Sequence, residues 1–233
     1  MNRKRMIAGA MMAMMVWAAN GMAAPSTEGA ALGEWTMDVD AAKVLAAETG
    51  KPMLFNFTGS DWCGWCIRMD NQVFSKEDWQ AYAKDNLVLV WIDFPRDKSL
   101  VPEAYADRNQ KLSEEFGVQG FPTYFLLDSD GDTRLGQAGA SREATPEWFI
   151  GVLESLILTS EKSVAALREK MSEDERAQLD AAQAAVATAR QTLEDWILTE
   201  PERSDENIAA FQSMNDNIRE AEAAVLSLLK AAQ

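Results

Sequence analysis

The chain has 233 residues, 22 basic against 37 acidic, and a formal net charge of −15. Such an acid excess excludes nucleic acid and disfavours anionic lipid surfaces as partners. There is no histidine and only two cysteines, too few ligands for a zinc site, and no cofactor is expected.

Arg3, Lys4 and Arg5 precede an apolar stretch over residues 6–19, and small residues follow at Gly21, Ala23 and Ala24. That is the order of a cleavable export signal, assigned to residues 1–24. Its short length and the small residues close behind it favour cleavage over an uncleaved anchor. No cysteine directly follows it to carry a lipid. Cleavage removes three basic residues and leaves 19 against 37, or −18 net. The expected location is the periplasm or the medium. In an oxidising compartment a lone close pair of cysteines suits a redox couple better than a staple, because so short a loop constrains the unfolded chain very little.

Residues 25–34 read as a linker and residues 35–158 as a cored domain. A helix is expected over 39–48, closed by Gly50 and Pro52, followed by a short buried strand over 53–57. Next comes Asp61-Trp62-Cys63-Gly64-Trp65-Cys66. Ser75, with Asp78 three residues on, resembles a capping pattern opening a further helix. The apolar run 87–92 suits a central strand covered on both faces. A helix over 105–116, a strand over 123–127, a turn at Asp130-Gly131 into residues 133–135, and a helix from Thr145-Pro146 to Leu158 complete the domain. The order α-β-α-β-α-β-β-α implies an α/β fold, a mixed sheet flanked by helices.

After Thr159 the composition shifts to Ala, Glu, Gln and Leu. Leu179, Val186 and Leu193 recur every seven residues, with Ala182, Ala189 and Trp196 as a second seam. Beyond Pro201 the pattern returns as Phe211, Ile218 and Val225 with Met214, Ala221 and Leu228. Residues 159–233 therefore read as an antiparallel coiled-coil hairpin, its second helix capped by Ser204. Three heptads per helix are short, so the hairpin is expected to pack on the preceding domain, dimerise or dock a partner.

Trp62-Cys63-Gly64-Trp65-Cys66 after a strand, with Gly120-Phe121-Pro122-Thr123 before a later one, resembles the thioredoxin fold. The wording of residues 57–63, Phe-Thr-Gly-Ser-Asp-Trp-Cys, is similar to exported bacterial thioredoxin-like proteins. The resemblance covers residues 35–158. It implies a thiol–disulfide oxidoreductase whose partners are protein thiols or disulfides and an unidentified redox partner. Cys63 would sit at a helix N-terminus, where unpaired N–H groups favour thiolate, and act as nucleophile; Cys66 would resolve the mixed disulfide. Arg68 would favour the thiolate, and Asp61 and Asp70 would oppose it. Trp62 and Trp65 would surround the sulfurs. A cis Phe121–Pro122 bond would face them, with Phe121 and Thr123 contacting substrate. Apart from the resemblance, if strands 53–57 and 87–92 run parallel, the loop 94–102 leaves the sheet at the same edge as the cysteines, where it either lines a substrate groove or is a solvated connection.

Two departures from the family stand out. A buried Asp and a Lys that accompany the motif in many members align here with Asn56 and Leu89, neither of them a base, so the Cys66 proton needs water or another acceptor. Gly-Trp replaces the familiar Gly-Pro between the cysteines, which leaves the direction of electron flow open. Other readings also stay open. One is a noncatalytic adaptor with Cys63 and Cys66 closed as an inert disulfide; another is a two-thiolate site for a soft ion such as Cu(I).

Overall fold

The computed structural model describes residues 24–233; apart from Ala24, the export segment read at the amino terminus lies outside them. Among the described residues, no helix is long and apolar enough to cross a membrane. These residues form two compact units that divide between Leu153 and Glu154.

The first unit is built on a five-stranded sheet: β1 (Trp35–Thr36), β2 (Met53–Thr58), β3 (Val88–Asp93), β4 (Thr123–Leu127) and β5 (Arg134–Gly139). The strand order is β1-β3-β2-β4-β5. The first three strands run parallel, and β4 runs antiparallel to both β2 and β5. The mixed sheet expected from the element order is therefore present. Its central strand β2 is buried along its whole length, and so is β3, as both faces are covered.

The two faces differ in chemistry. Met53, Phe55 and Phe57 of β2 and Val88, Val90 and Ile92 of β3 pack with Val39, Ala42 and Ala46 of α1 (Val39–Thr49) and with Phe116 at the end of α4 (Glu103–Phe116). The alternate residues Leu54, Asn56 and Thr58, and Leu89, Trp91 and Asp93, point the other way. That face carries an aromatic cluster in which Phe74 lies 5.1 Å from Trp79, 5.6 Å from Tyr124 and 5.6 Å from Phe149 between ring centroids. It also buries four polar side chains, Asn56, Thr58, Asp70 and Asp93.

Several local expectations hold. Gly50 closes α1 as expected, at φ 68°, a left-handed conformation that suits glycine, while Asp38, not named in the sequence reading, caps the helix by accepting from the Ala41 amide. Gly131, at φ 75°, makes the turn between β4 and β5. Ser75 does not open the next helix. The helix that follows the cysteines, α2 (Gly64–Met69), continues through a π-helical turn (Asp70–Phe74), and Ser75 ends that turn with its Oγ donating to the Asn71 carbonyl at 3.0 Å. Lys76 then takes the cap position of α3 (Glu77–Asn86) without a side-chain bond. The short β1, paired at Trp35 with Leu89 and at Thr36 with Val90, has no local sequence signature.

The final helix of the first unit, α5 (Pro146–Leu158), runs across the division, whereas the composition shift falls at Thr159. The second unit contains α6 (Glu161–Arg168), α7 (Glu173–Leu198) and α8 (Asp205–Ala231). Ser160 caps α6, a helix absent from the sequence reading, and Ser172 with Glu175 forms a reciprocal capping box on α7. Ser204 caps α8 as expected. Helices α7 and α8 run antiparallel, with Arg190 bonded to Glu222 at 2.6 Å and Trp196 lying 6.2 Å from Phe211. Leu179, Val225 and Leu229 join Leu158, Leu167 and Met171 in one apolar cluster. Toward the α7–α8 connection burial fails: Ile197, Leu198, Ile208 and the heptad residue Phe211 are exposed.

Candidate active site

Strand β2 ends at Thr58, and the chain turns sharply through Gly59 before entering α2. The Gly59 carbonyl accepts from the Trp62 amide at 3.2 Å and the Cys63 amide at 2.8 Å. Glycine leaves room here for the Trp62 indole, since a Cβ would lie 2.5 Å from its Cε2 and the ring would have to shift. This turn puts Cys63 in the N-cap position of α2, where its Sγ accepts from the Cys66 amide at 3.2 Å. The sulfur thus takes the place of a capping oxygen and satisfies one of the orphan donors of the first turn.

Cys63 and Cys66 form a disulfide with their Cα atoms 5.2 Å apart. Both residues are buried, Cys63 at 7% exposure and Cys66 at 1%, so the residue at the cap is the more exposed of the pair. Around them Trp62 (39%) and Trp65 (44%) stand exposed. The Phe121–Pro122 bond is cis, as the resemblance implied. The Phe121 ring meets Trp62 edge-on at 5.9 Å and stacks on Phe94 at 5.1 Å, which brings the proline loop beside the cysteine motif. Pro122 is buried, and Thr123, half-buried, opens β4 opposite Phe57 with its Oγ1 donating to the Gly120 carbonyl at 2.8 Å.

The loop after β3 also reaches the motif. Trp62 Nε1 donates to the Phe94 carbonyl at 2.8 Å, and the Arg96 guanidinium lies 5.5 Å from the Trp62 ring centroid. The Asp61 carboxylate accepts from the amides of Arg96 and Asp97, both at 2.9 Å. Desolvation alone would raise Asp61, but these backbone donors outweigh it and hold the carboxyl below its ordinary value. Asp61 therefore braces the loop. Arg68 donates to the Arg142 carbonyl and lies 6.0 Å from the Trp65 ring centroid, contacts that point away from a role as the thiolate's counter-ion.

Behind the cysteines lie two carboxyl groups. Asp70 shares the buried side of the helix with Cys66, Met69 and Val73, and its amide donates to the Cys66 carbonyl. Burial, then the charge of Asp93, push Asp70 up to about 7. Asp93, at the end of β3, accepts from the Ser60 amide at 3.0 Å and the Ser60 hydroxyl at 2.6 Å. Burial raises it despite donors from Ser60, Trp91 and the Phe94 amide. Asp93 carries no motif in the sequence. Asp70 does leave a trace: it falls in the helical rhythm of Cys66, Met69 and Val73, where a charged residue is out of place. Among the described residues no cluster of three or more potential metal ligands occurs.

Residues 39–154 match the model of a protein family described as the thioredoxin-like domain. The disulfide bond reductase DsbH of Chlamydia pneumoniae is 40% identical over 81 residues, 35% of this chain and 48% of that protein. The thioredoxin-related protein DsbJ of Chlamydia pneumoniae is 25% identical over 96 residues, 41% of this chain and 27% of that protein. The chain thus spans about half the length, or less, of these curated relatives. A solved structure described as DsbH oxidoreductase is 30% identical, with a TM-score of 0.49, and the match covers 60% of this chain and 96% of that one.

Proposed function

We propose that this chain, whose residues 39–154 belong to the thioredoxin-like domain family, is a thiol–disulfide oxidoreductase that reduces disulfides of exported proteins through Cys63 and Cys66. The observation that carries the reading is the capping position of Cys63, whose sulfur accepts the Cys66 N–H while bonded to Cys66 itself. With the pair reduced, the same donor and the helix N-terminus favour Cys63 as thiolate. The helix field supplies about 1 kcal/mol, or about 0.7 pKa unit, and the N–H donor adds to it.

In this reading the Cys63 thiolate attacks a substrate disulfide, forms a Cys63–substrate bond and releases one substrate thiolate. Cys66 then attacks the Cys63 sulfur, closes the Cys63–Cys66 disulfide and releases the second substrate thiolate. Trp62, Trp65 and Phe121 offer apolar surface to the substrate chain, and the backbone about Pro122 and Thr123 offers an extended edge. The reducing direction is supported by the name of the curated relative, a disulfide bond reductase. The export signal read over residues 1–24 supports a periplasmic or secreted location. The second unit serves self-association or partner docking in this reading, supported by the exposed Ile197, Leu198, Ile208 and Phe211.

Equilibrating the pair with a thiol buffer of known potential tests the reading. A reductase is expected to lie nearer the value of about −270 mV typical of thioredoxin than the value of about −120 mV of a strong oxidant. A pair that neither exchanges with thiols nor reduces a protein disulfide would favour an adaptor with an inert bridge.

A further inference from the structure

We propose that Asp70, backed by Asp93, accepts the Cys66 thiol proton when the mixed disulfide is resolved; this rests on the oxidoreductase reading and extends it. Asp70 lies one turn beyond Cys66 on the buried side of the same helix. Side chains on a helix lean toward its N-terminus, and residues four apart are neighbours, with Cβ atoms about 5–6 Å from each other. Asp70 and Cys66 thus occupy adjacent turns of one buried helix face. Asn56, on the facing strand, has a buried Oδ1 without a partner and no capacity to take a proton.

In the step assigned here the S–H bond of Cys66 breaks and its proton passes to a carboxylate oxygen of Asp70. The electron pair left on Cys66 forms the bond to Cys63, and the Cys63–substrate bond breaks, so that the substrate leaves as thiolate. The titratable groups acting on Asp70 are Asp93 from β3 and Tyr124 from β4. The side chains of Phe74 and Phe149 around Tyr124 carry no charge. A neighbouring anion and a dry site both raise the proton affinity of Asp70 toward that of a thiol, so the transfer is no longer steeply uphill. Asp93 also lines a groove of about 630 Å³ with Lys98, Ser99 and Glu103, which gives a proton held by the pair an outlet.

Mixing the reduced full-length chain with an excess of a dithiobenzoate disulfide reporter separates the steps: attack by Cys63 releases the first coloured thiolate and resolution by Cys66 the second. In Asp70→Asn the second phase should slow on the order of tenfold or more at pH 7, with the first phase unchanged. The gap should narrow as the pH rises, because hydroxide then removes the Cys66 proton without help from Asp70, and Asp70→Glu should restore most of the rate. A second phase that Asp70→Asn leaves unchanged, or slows equally at every pH, overturns the proposal. Absence of both phases in the unsubstituted chain overturns the oxidoreductase reading instead. Should Asp70→Asn fail to fold, ¹³C NMR of the Asp70 carboxyl in the unsubstituted chain decides. Its titration should move between the disulfide and dithiol forms, and a titration that does not move contradicts the assignment.

Discussion

Trp62 Nε1 donates to the Phe94 carbonyl at 2.8 Å, so the indole that shields the cysteine turn is held by the loop leaving the neighbouring parallel strand. The bond joins two segments that lie far apart in sequence and meet because β2 and β3 end side by side, Thr58 opposite Asp93. Asp61 adds two amide bonds to the same loop and Asp93 returns two to Ser60. The active turn and the 94–97 loop are thus cross-braced.

Gly59→Ala should break this brace. The added methyl group would lie 2.5 Å from the Trp62 ring, and the indole must move off the Phe94 carbonyl. We expect a loss of about 1–3 kcal/mol of stability, the usual cost of overpacking, together with slower exchange with protein disulfides. Urea denaturation and exchange kinetics on the same variant check both. A stable variant with unaltered exchange would show that the indole's seat is unimportant.

Asp70 should leave a mark on stability as well as on rate. Its folded value, about 7, lies above the ordinary 3.8, so its contribution is fully present below pH 3.8 and is lost as the pH rises through 7. Asp70→Asn keeps the shape and removes the charge. The variant should match the parent near pH 3.5 and exceed it above pH 7 by an amount on the order of 4 kcal/mol at most. Urea midpoints from pH 3.5 to 8.5 read the difference. A variant less stable than its parent at pH 8 would mean that the carboxylate is favourably held where it is.

Much of the site was legible because it depends on local rules. An apolar run, a glycine-containing turn and Cys-x-x-Cys carry the resemblance that implied Cys63 on a helix N-terminus, and Ser204 before an apolar heptad pattern reads as the cap of α8. What escaped depends on packing between distant segments. The pairing of Trp35–Thr36 with Leu89 and Val90 leaves no pattern two residues long, and the π-helical turn displaces the cap expected at Ser75. The burial of Asp93 follows from the closure of Ser60 and the 94–97 loop over the end of β3, which no short stretch of sequence announces.

Trp65 is 44% exposed, with the Arg68 guanidinium 6.0 Å from its ring centroid. Trp65→Ala should change stability by no more than about 0.5 kcal/mol, as expected for a surface position. Reduction of a small disulfide should persist, while reduction of a protein disulfide should weaken through KM. If both substrates are reduced as before, Trp65 has no part in the groove.

A chain ending at Ser160 retains the cysteine turn, the proline loop and all of α5. It should still reduce a small disulfide reporter at a rate within about threefold of the full chain, since every group in the proposed chemistry lies before that point. Sedimentation of both chains at several concentrations shows whether α7 and α8 mediate self-association. Equal masses per chain, with all protein substrates still reduced, would remove both roles proposed for the second unit.

The most direct measurement is capture of the covalent intermediate. Cys63 holds the cap and is the more exposed residue at 7%, against 1% for Cys66. Cys66→Ala should therefore accumulate a mixed disulfide between Cys63 and a protein substrate, stable until a thiol is added, whereas Cys63→Ala should accumulate little. Equal or reversed capture by the two variants would contradict the assignment of Cys63 as nucleophile, and no capture by either would contradict the oxidoreductase account.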